Sequence, residues 1–362
     1  MQLKHLSVVS FKNIRQLELE PAAKLTCLVG SNGEGKTNLL DAIYLLSMCK
    51  SSVGLTDRQC IYHGEGFFLL KGSYDVLGKE EVVSCGAAKA DGKVMKRNGK
   101  AYEKFADHIG LLPLVMISPA DSALISDSGE ERRRYLNRIL SQLDRGYLHA
   151  ITRYNALLQQ RNKALKANSS YDLIEVLDMQ LTECARQVYD SRLQLVAQIQ
   201  ERFQKYYSLI SEDKEQVSIG YDSDLEQGDF VELLKQSYDK DRALQYTSRG
   251  VHRDNLKMKI GDYPIRKIGS QGQQKTMLLA LKLAQVDLLK QRMGIAPILL
   301  LDDIFDKLDL QRVQNLIHLV SVGNFGQIFL TDSNKVRVDT LLQEVSYEYK
   351  LFEVKGGEFA QL

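Results

Sequence analysis

The chain has no tryptophan, and only five prolines and five cysteines among its 362 residues. Cys27, Cys49, Cys60, Cys85 and Cys184 are odd in number, scattered, and without a Cys-x-x-Cys pair. That argues against a disulfide framework or a zinc site and for reduced thiols in the cytoplasm. The six histidines are dispersed and form no metal-binding cluster. No apolar run approaches the ~18 residues that span a bilayer, so no membrane partner is expected. The N-terminus lacks a hydrophobic core of signal-peptide length and a small-residue cleavage site, so export is not expected. Formal net charge is only +2, so any surface for nucleic acid must be a local one. There is no internal repeat and no low-complexity tract. What remains, 44 % hydrophobic and 26 % charged, is an ordinary globular composition with length for two domains.

The shortage of proline is uneven. No proline lies between Pro119 and Pro264, and Gly146 alone interrupts glycine-free sequence from 130 to 219. Within that block, Leu136, Ile139, Leu143, Tyr147, Ile151, Tyr154 and Leu158 recur at three- and four-residue steps. After the polar break 166–170 the stripe resumes at Ile174, Leu177, Leu181, Cys184, Val188, Leu195, Ile199 and Phe203. This periodicity predicts two long amphipathic helices in an antiparallel hairpin. Each would be roughly 50 Å long at ~1.5 Å per residue. Outside the block, short β-rich runs recur on both sides, one of them turning at Asn98-Gly99, a strong hairpin signal. The expected fold class is α/β. One nucleotide domain is built from both chain ends, 1–118 and 207–362, with a helical arm, 119–206, inserted between them.

Gly30-Ser31-Asn32-Gly33-Glu34-Gly35-Lys36-Thr37 is a complete G-x-x-x-x-G-K-T phosphate loop. It follows a predicted strand at 25–29 and precedes a predicted helix that opens at Asn38. Glycines let backbone N–H groups curl around the phosphates, and the helix N-terminus adds partial positive charge. Lys36 supplies a full cation, and the Thr37 hydroxyl can ligate the Mg²⁺ that accompanies a nucleoside triphosphate. Farther on, Ile298-Leu299-Leu300-Leu301 ends in Asp302-Asp303. A strand buried on both faces belongs at the centre of a parallel sheet, whose C-terminal edge opens on a phosphate site. Asp302 can hold Mg²⁺ through water, and Asp303 can polarise the attacking water. Ser270-Gln271-Gly272-Gln273 opens another predicted helix, 276–291. A hydroxyl, accessible N–H groups and a helix dipole there make either an anion site or a plain capped helix.

In that chain order, the phosphate loop, the Ser270-Gln271-Gly272-Gln273-Gln274 run and the Leu-Leu-Leu-Asp-Asp strand resemble the ABC-type P-loop ATPase core, a mixed or parallel sheet. Within it the chain is similar to the RecF family of bacterial recombination mediators, related to SMC-type heads. Phe11-Lys12-Asn13, the loop run Gly33-Glu34-Gly35-Lys36-Thr37-Asn38, whose Asn38 is thereby also a nucleotide-site candidate, Ser118-Pro119-Ala120-Asp121 leading into Glu131-Arg132-Arg133-Arg134, and Gly250-Val251-His252-Arg253-Asp254-Asn255 carry the closer match. The family usually shows Gly-Pro-His-Arg-Asp-Asp where the last of these stands, and Ser-Glu-Leu-Asp in place of Asp306-Lys307-Leu308-Asp309. Transporter-type domains carry a His where this chain has Thr331-Asp332, and Glu in place of Asp303. The resemblance implies two copies that sandwich two ATP molecules, the signature run of one (Ser270, Gln271, Gly272, Gln273) closing on the phosphate loop of the other. Asp309 would couple the subunits, hydrolysis would be slow and switch-like, and RecO and RecR would be partners.

A DNA partner is also expected from local charge. Residues 129–170 carry nine Lys/Arg against three acids, whereas 171–206 carry four against six. One side of the arm is therefore basic, with Arg132, Arg133, Arg134 and Arg138 as candidate phosphate-backbone contacts. The hairpin bases Lys93, Lys96, Arg97, Lys100 and Lys104 form a second patch. With no tryptophan and no base-reading helix evident, binding to single- and double-stranded DNA should ignore base sequence. The competing readings are an ATPase subunit of an ABC-type transporter and a metal-dependent nuclease fused to such a head. The long basic arm and the missing His oppose the first. The lack of a spare carboxylate cluster beyond Asp302 and Asp303 opposes the second.

Overall fold

The computed structural model describes residues 1–127, 129–212, 215–305, 308–322 and 325–362. The chain divides into two units, Met1–Ser122 with Leu209–Glu212 and Gln271–Leu362, and Ala123–Ser208 with Asp213–Ser270. The boundaries expected from the sequence therefore shift. The region up to Ser270 goes with the arm, because a three-stranded sheet and a helix there pack on the arm helices instead of the ATPase sheets.

In the first unit, β3 (Leu25–Val29), β8 (Leu114–Ile117), β12 (Ile298–Asp302), β13 (Ile328–Asp332) and β14 (Tyr349–Lys355) run parallel. With the antiparallel edge strand β15 (Glu358–Gln361) the order is β15-β14-β3-β13-β12-β8. Every residue of β3, β8, β12 and β13 is buried, as unbroken aliphatic runs require. A second sheet, wholly antiparallel, joins β1 (Gln2–Phe11), β2 (Ile14–Leu19), β4 (Phe67–Val76), β5 (Lys79–Ala88), β6 (Gly92–Arg97) and β7 (Lys100–Ala101) in the order β2-β1-β4-β5-β6-β7. Its last hairpin turns at Asn98-Gly99, both at positive φ (49° and 83°), the turn that this dipeptide favours. Helix α1 (Lys36–Met48) shares one core with both sheets. Leu39, Leu40, Ile43 and Leu46 are buried in one cluster with Leu6, Val8 and Phe68 of the antiparallel sheet and Leu28, Met116, Leu300 and Phe329 of the parallel one. All five cysteines are buried free thiols.

The second unit holds α2 (Ala123–Ser126), α3 (Gly129–Leu143), α4 (Arg145–Lys166), most of α5 (Tyr171–Ser211), α6 (Phe230–Leu244) and α7 (Ile265–Ile268). It also holds a small sheet of β9 (Val217–Asp222), β10 (Asn255–Ile260) and β11 (Tyr263–Pro264). The expected turn at 166–170 is present. The expected first long helix is two helices, because Asp144 adopts extended backbone (φ −141°, ψ 110°), which ends α3 and starts α4 afresh at Arg145. Tyr147 pairs with Arg192, Arg153 with Glu183 and Arg161 with Asp178, a descending order that makes α4 and α5 antiparallel. Helix α8 (Gln271–Met293) opens the return to the first unit, followed there by α9 (Leu310–Val322) and α10 (Lys335–Glu344).

Arg161 is fully buried. Its Nε donates to Asp178 at 2.5 Å and its Nη1 to Asp241 at 2.7 Å and Thr247 at 3.0 Å, so α4, α5 and α6 converge on one guanidinium. Arg161→Met would strand two buried carboxylates and should destabilise the arm by about 3–5 kcal/mol. A lowered urea midpoint followed by circular dichroism checks this, with partial recovery when Asp178 and Asp241 are also replaced by Asn.

Candidate nucleotide site

The site forms where β3, β12 and β13 end. Chain leaving β3 turns through the phosphate loop into α1, whose cap residue Gly35 has φ 116°. Two glycines there have no room for a side chain. A Cβ on Gly30 would sit 2.3 Å from the Val354 carbonyl oxygen, and one on Gly35 would sit 2.7 Å from the Asn13 amide. Lys36 folds over the loop, donating from Nζ to the carbonyls of Gly30 (2.6 Å) and Ser31 (2.8 Å). Asn32, Gly33, Gly35, Lys36, Thr37, Asn38, Asp302 and Asp303 line one pocket of about 190 Å³, together with Pro119 and Thr331. Eight of the expected nucleotide residues thus come together.

Thr37 and Asp302 are 265 positions apart in the chain, yet the Thr37 hydroxyl donates to both Asp302 carboxylate oxygens at 2.9 and 3.0 Å. From the intervening strand β13, the Thr331 hydroxyl donates to Asp302 Oδ1 at 2.7 Å. Burial pushes the Asp302 carboxyl above the ordinary range, against these two hydrogen bonds, and the charge of Asp303 adds to the push. Burial draws Lys36 below its usual value, while Asp303, Asp302, Asp332 and Glu34 draw it back up. Asp303 itself sits at φ +46°, a left-handed conformation that costs energy for a non-glycine residue. Its N–H is held by the Thr331 carbonyl and hydroxyl, both at 3.2 Å. The donors at Thr37 and Asp302 are hard oxygens on adjacent elements, which suits Mg²⁺, a cation that takes few protein ligands and keeps waters and phosphate oxygens for the rest.

Several contributors escaped sequence reasoning. Asn13 braces the loop, donating to the Glu34 carbonyl at 3.0 Å and accepting from the Asn38 amide at 2.8 Å. Lys12, beside it, pairs with buried Asp41 of α1 at 2.6 Å. From the far end of the chain, Gly357 N–H donates to the Glu34 carbonyl at 2.8 Å and Gly356 N–H to the Glu34 carboxylate. The triplet Phe11-Lys12-Asn13 was legible as a family signature without its job being evident, and the Gly356-Gly357 turn gave no signal. Asp121 holds the 118–121 loop, accepting from Ser118 N–H at 2.9 Å, and receives the buried Lys282 ammonium of α8 at 2.7 Å.

Other expectations land elsewhere. Ser270 is exposed immediately before α8, and Gln271, Gly272 and Gln273 form the first turn of that helix without lining the phosphate pocket. Asp309 caps α9, accepting from Arg312 N–H at 2.9 Å. Asp306 and Lys307, the rest of that comparison, lie outside the described residues. Two of the four candidate DNA arginines need correction. Arg132 is buried and donates to the carbonyls of Leu124 and Ile125 and to Asn255 Oδ1, and Arg133 donates to the Asp254 carbonyl. Arg134 is exposed but paired with Glu130 and Glu131 at 2.5 Å, and Arg138 is half-buried. In the second patch Lys93 pairs with Asp57 and Arg97 with Glu81. The 250–255 run is structural too. His252 bonds Tyr154 at 2.7 Å and the Thr247 carbonyl at 3.0 Å, with burial pushing it down to about 4, and Asp254 accepts from Arg192 and Tyr221.

A family model described as the RecF/RecN/SMC N terminal domain matches residues 2–346. A protein of Bacteroides thetaiotaomicron named DNA replication and repair protein RecF is 47 % identical over 360 residues, covering 99 % of this chain and 98 % of that one. The chain belongs to the RecF family. A relative of the same name from Parabacteroides distasonis is 49 % identical over 359 residues, covering 99 % of this chain and 98 % of that protein. A solved structure of the recombination mediator protein RecF with ATPrS, in the RecFOR pathway, superposes with TM-score 0.88 at 28 % identity, covering 99 % of this chain and 98 % of that one. An SMC head bound to the C-winged helix domain of ScpA shares the fold, with TM-score 0.61 at 14 % identity and coverage of 100 % and 97 %. The fold is thus the ABC-type ATPase head of this family, and the transporter alternative is not favoured. Among the described residues no helix is long and apolar enough to cross a membrane.

Because the folded pKa of Asp302 is raised, its contribution to stability is complete below the unfolded carboxyl range and is lost as pH rises through the folded value. Asp302→Asn fixes the uncharged form and keeps an acceptor for Thr37 and Thr331. At neutral pH it should stabilise by about 1 kcal/mol, roughly 2–4 °C in Tm, a gain that shrinks on acidification. Melting curves from pH 4 to 8 check this.

Proposed function

We propose that this chain is an ATP-controlled DNA-binding protein of replication and recombinational repair. It would close as a homodimer on gapped or double-stranded DNA when ATP is bound and open after slow hydrolysis. The observation that carries the reading is the meeting of Lys36, Thr37, Asp302 and Asp303 in one pocket that the signature residues Gln271, Gly272 and Gln273 do not line. One loop cradles only one side of a triphosphate. A second helix N-terminus is needed to close the other, and in this reading a second copy supplies it with Ser270. ATP then stabilises the pair by binding it better than the separate chains, and loss of the γ-phosphate withdraws that contribution.

Lys36 would exchange its bonds to Gly30 and Ser31 for phosphate oxygens, so the cation is stored at the place it serves. Thr37 and Asp302 would hold Mg²⁺, which when bound neutralises charge on the phosphates. Asp303 would orient and deprotonate the attacking water. As an aspartate it reaches one methylene less far than glutamate, in keeping with a slow timer and a weak, DNA-dependent ATPase. DNA would be held by its backbone without regard to sequence, with RecO- and RecR-type proteins as partners in the cytoplasm.

Sedimentation with and without ATP tests the trans arrangement. Ser270→Arg should keep nucleotide binding but stay monomeric with ATP, whereas Lys36→Ala should lose both nucleotide binding and ATP-dependent pairing. A Ser270→Arg protein that still pairs on ATP would refute the arrangement. Asp303→Asn should slow hydrolysis about 100-fold or more and lengthen the lifetime of the ATP-bound dimer, measured by single-turnover phosphate release.

A further inference from the structure

Two of the arginines first expected to meet DNA, Arg132 and Arg133, turn inward, yet the same unit carries an open basic cleft of about 420 Å³. It lies between the start of α3, strand β10 and the short helix α7, and Arg132, Lys257, Lys259, Arg266 and Lys267 line it against a lone lining carboxylate, Asp127. Lys257 and Lys259 are two apart on β10, so both project from one face of the strand, while Met258 between them is buried. Lys257 pairs with Asp222 at 2.7 Å. No described carboxylate pairs with Lys259, Arg266 or Lys267, and all three are exposed. Arg132 forms the buried floor, its guanidinium fixed by Leu124, Ile125 and Asn255. Burial, and then the neighbouring charge of Arg266, holds it below its usual value. Like charges gathered in a concave site, with little acid between them, are a costly arrangement for the protein alone and a favourable one for a polyanion.

We propose that this cleft is a binding site for the phosphodiester backbone of DNA, with Lys259, Arg266 and Lys267 as the direct phosphate contacts and Arg132 as the fixed charge beneath them. The assignment rests on the DNA-binding reading above and gives it a location that the sequence did not. Along the chain, the cleft also comes just before the signature run. Arg266 and Lys267 sit on α7, which runs directly into Gly269-Ser270, and Gly269 N–H closes that turn on the Ile265 carbonyl at 2.8 Å. A phosphate held on α7 therefore restrains the segment that presents the signature serine.

The test is fluorescence anisotropy of a labelled 30-base-pair duplex with the full-length protein and ATP, across a salt series. In the triple variant Lys259→Ala/Arg266→Ala/Lys267→Ala, affinity near 0.1 M salt should fall at least about tenfold, and the log–log salt slope should drop by about 2 to 3. The charge-preserving variant Lys259→Arg/Arg266→Lys/Lys267→Arg should retain most of the affinity, which separates lost charge from lost fold. Unchanged duplex binding in the triple variant, with wild type binding normally, overturns the cleft and leaves the DNA reading standing. Wild type failing to bind any duplex overturns both. Binding of two labelled ATP molecules per chain, reduced to one in the triple variant, would reassign the cleft to a nucleotide and also overturn the proposal.

Discussion

The hydrogen-bonded bridge Thr37–Asp302–Thr331 is the constraint on which the ATPase unit turns. It ties the first turn of α1 to the ends of two central strands, and each partner comes from a distant part of the chain. A carboxylate buried to this degree is expensive unless it is well supplied with donors. Two hydroxyls supply them here, and only while β3, β13 and β12 are in their observed order, since β13 must lie between the other two for Thr331 to reach across. The register then brings Asp303 into place, because its N–H is taken by Thr331 and its backbone is pinned in a conformation it would not choose alone. Phosphate chemistry and sheet order are thus specified by the same few contacts.

Around that bridge the unit is assembled from both chain ends. Asn13 follows the first strand, Gly356 and Gly357 precede the last, and all three act on Glu34 or its neighbours in the phosphate loop. A loop that must present several N–H groups to one ligand cannot be left mobile without an entropic penalty on binding. Bracing it from both termini lowers that penalty. The Lys282–Asp121 pair extends the same logic along α8. The helix that begins with the signature run is anchored, by a buried ammonium farther along it, to the loop that carries Pro119 at the pocket rim.

The amino-acid order revealed most of the site and less of its support. The phosphate loop and the Asp302-Asp303 strand end were legible because their chemistry demands fixed residue types at fixed spacing beside strongly apolar runs. Asn13 and the Gly356-Gly357 turn were not, since their role depends on a fold that brings positions 13, 34 and 357 together. The helical arm was legible from its apolar stripes, but those stripes pass through Asp144 without losing phase, so periodicity alone could not place the break between α3 and α4. Nor could it show that residues up to Ser270 stay with the arm, because the short strands β9 to β11 carry weak alternation.

Charge was the least reliable guide, for a physical reason. A count of Lys and Arg along 129–170 treats each as solvated, whereas Arg132 and Arg161 are buried and Arg133 is drawn inward to a backbone carbonyl. Arginine is suited to that work, because its planar fork satisfies several carbonyl or carboxylate acceptors at once and stays charged when buried. Runs rich in arginine at a helix junction are therefore ambiguous between a scaffold and a polyanion surface. Lysines at alternate positions of a strand, such as Lys257 and Lys259, are less so. Their long stems and strongly hydrated heads gain little from burial, and although Lys257 is paired with Asp222, Lys259 stays exposed beside Arg266 and Lys267, an arrangement that suits an anion brought from outside.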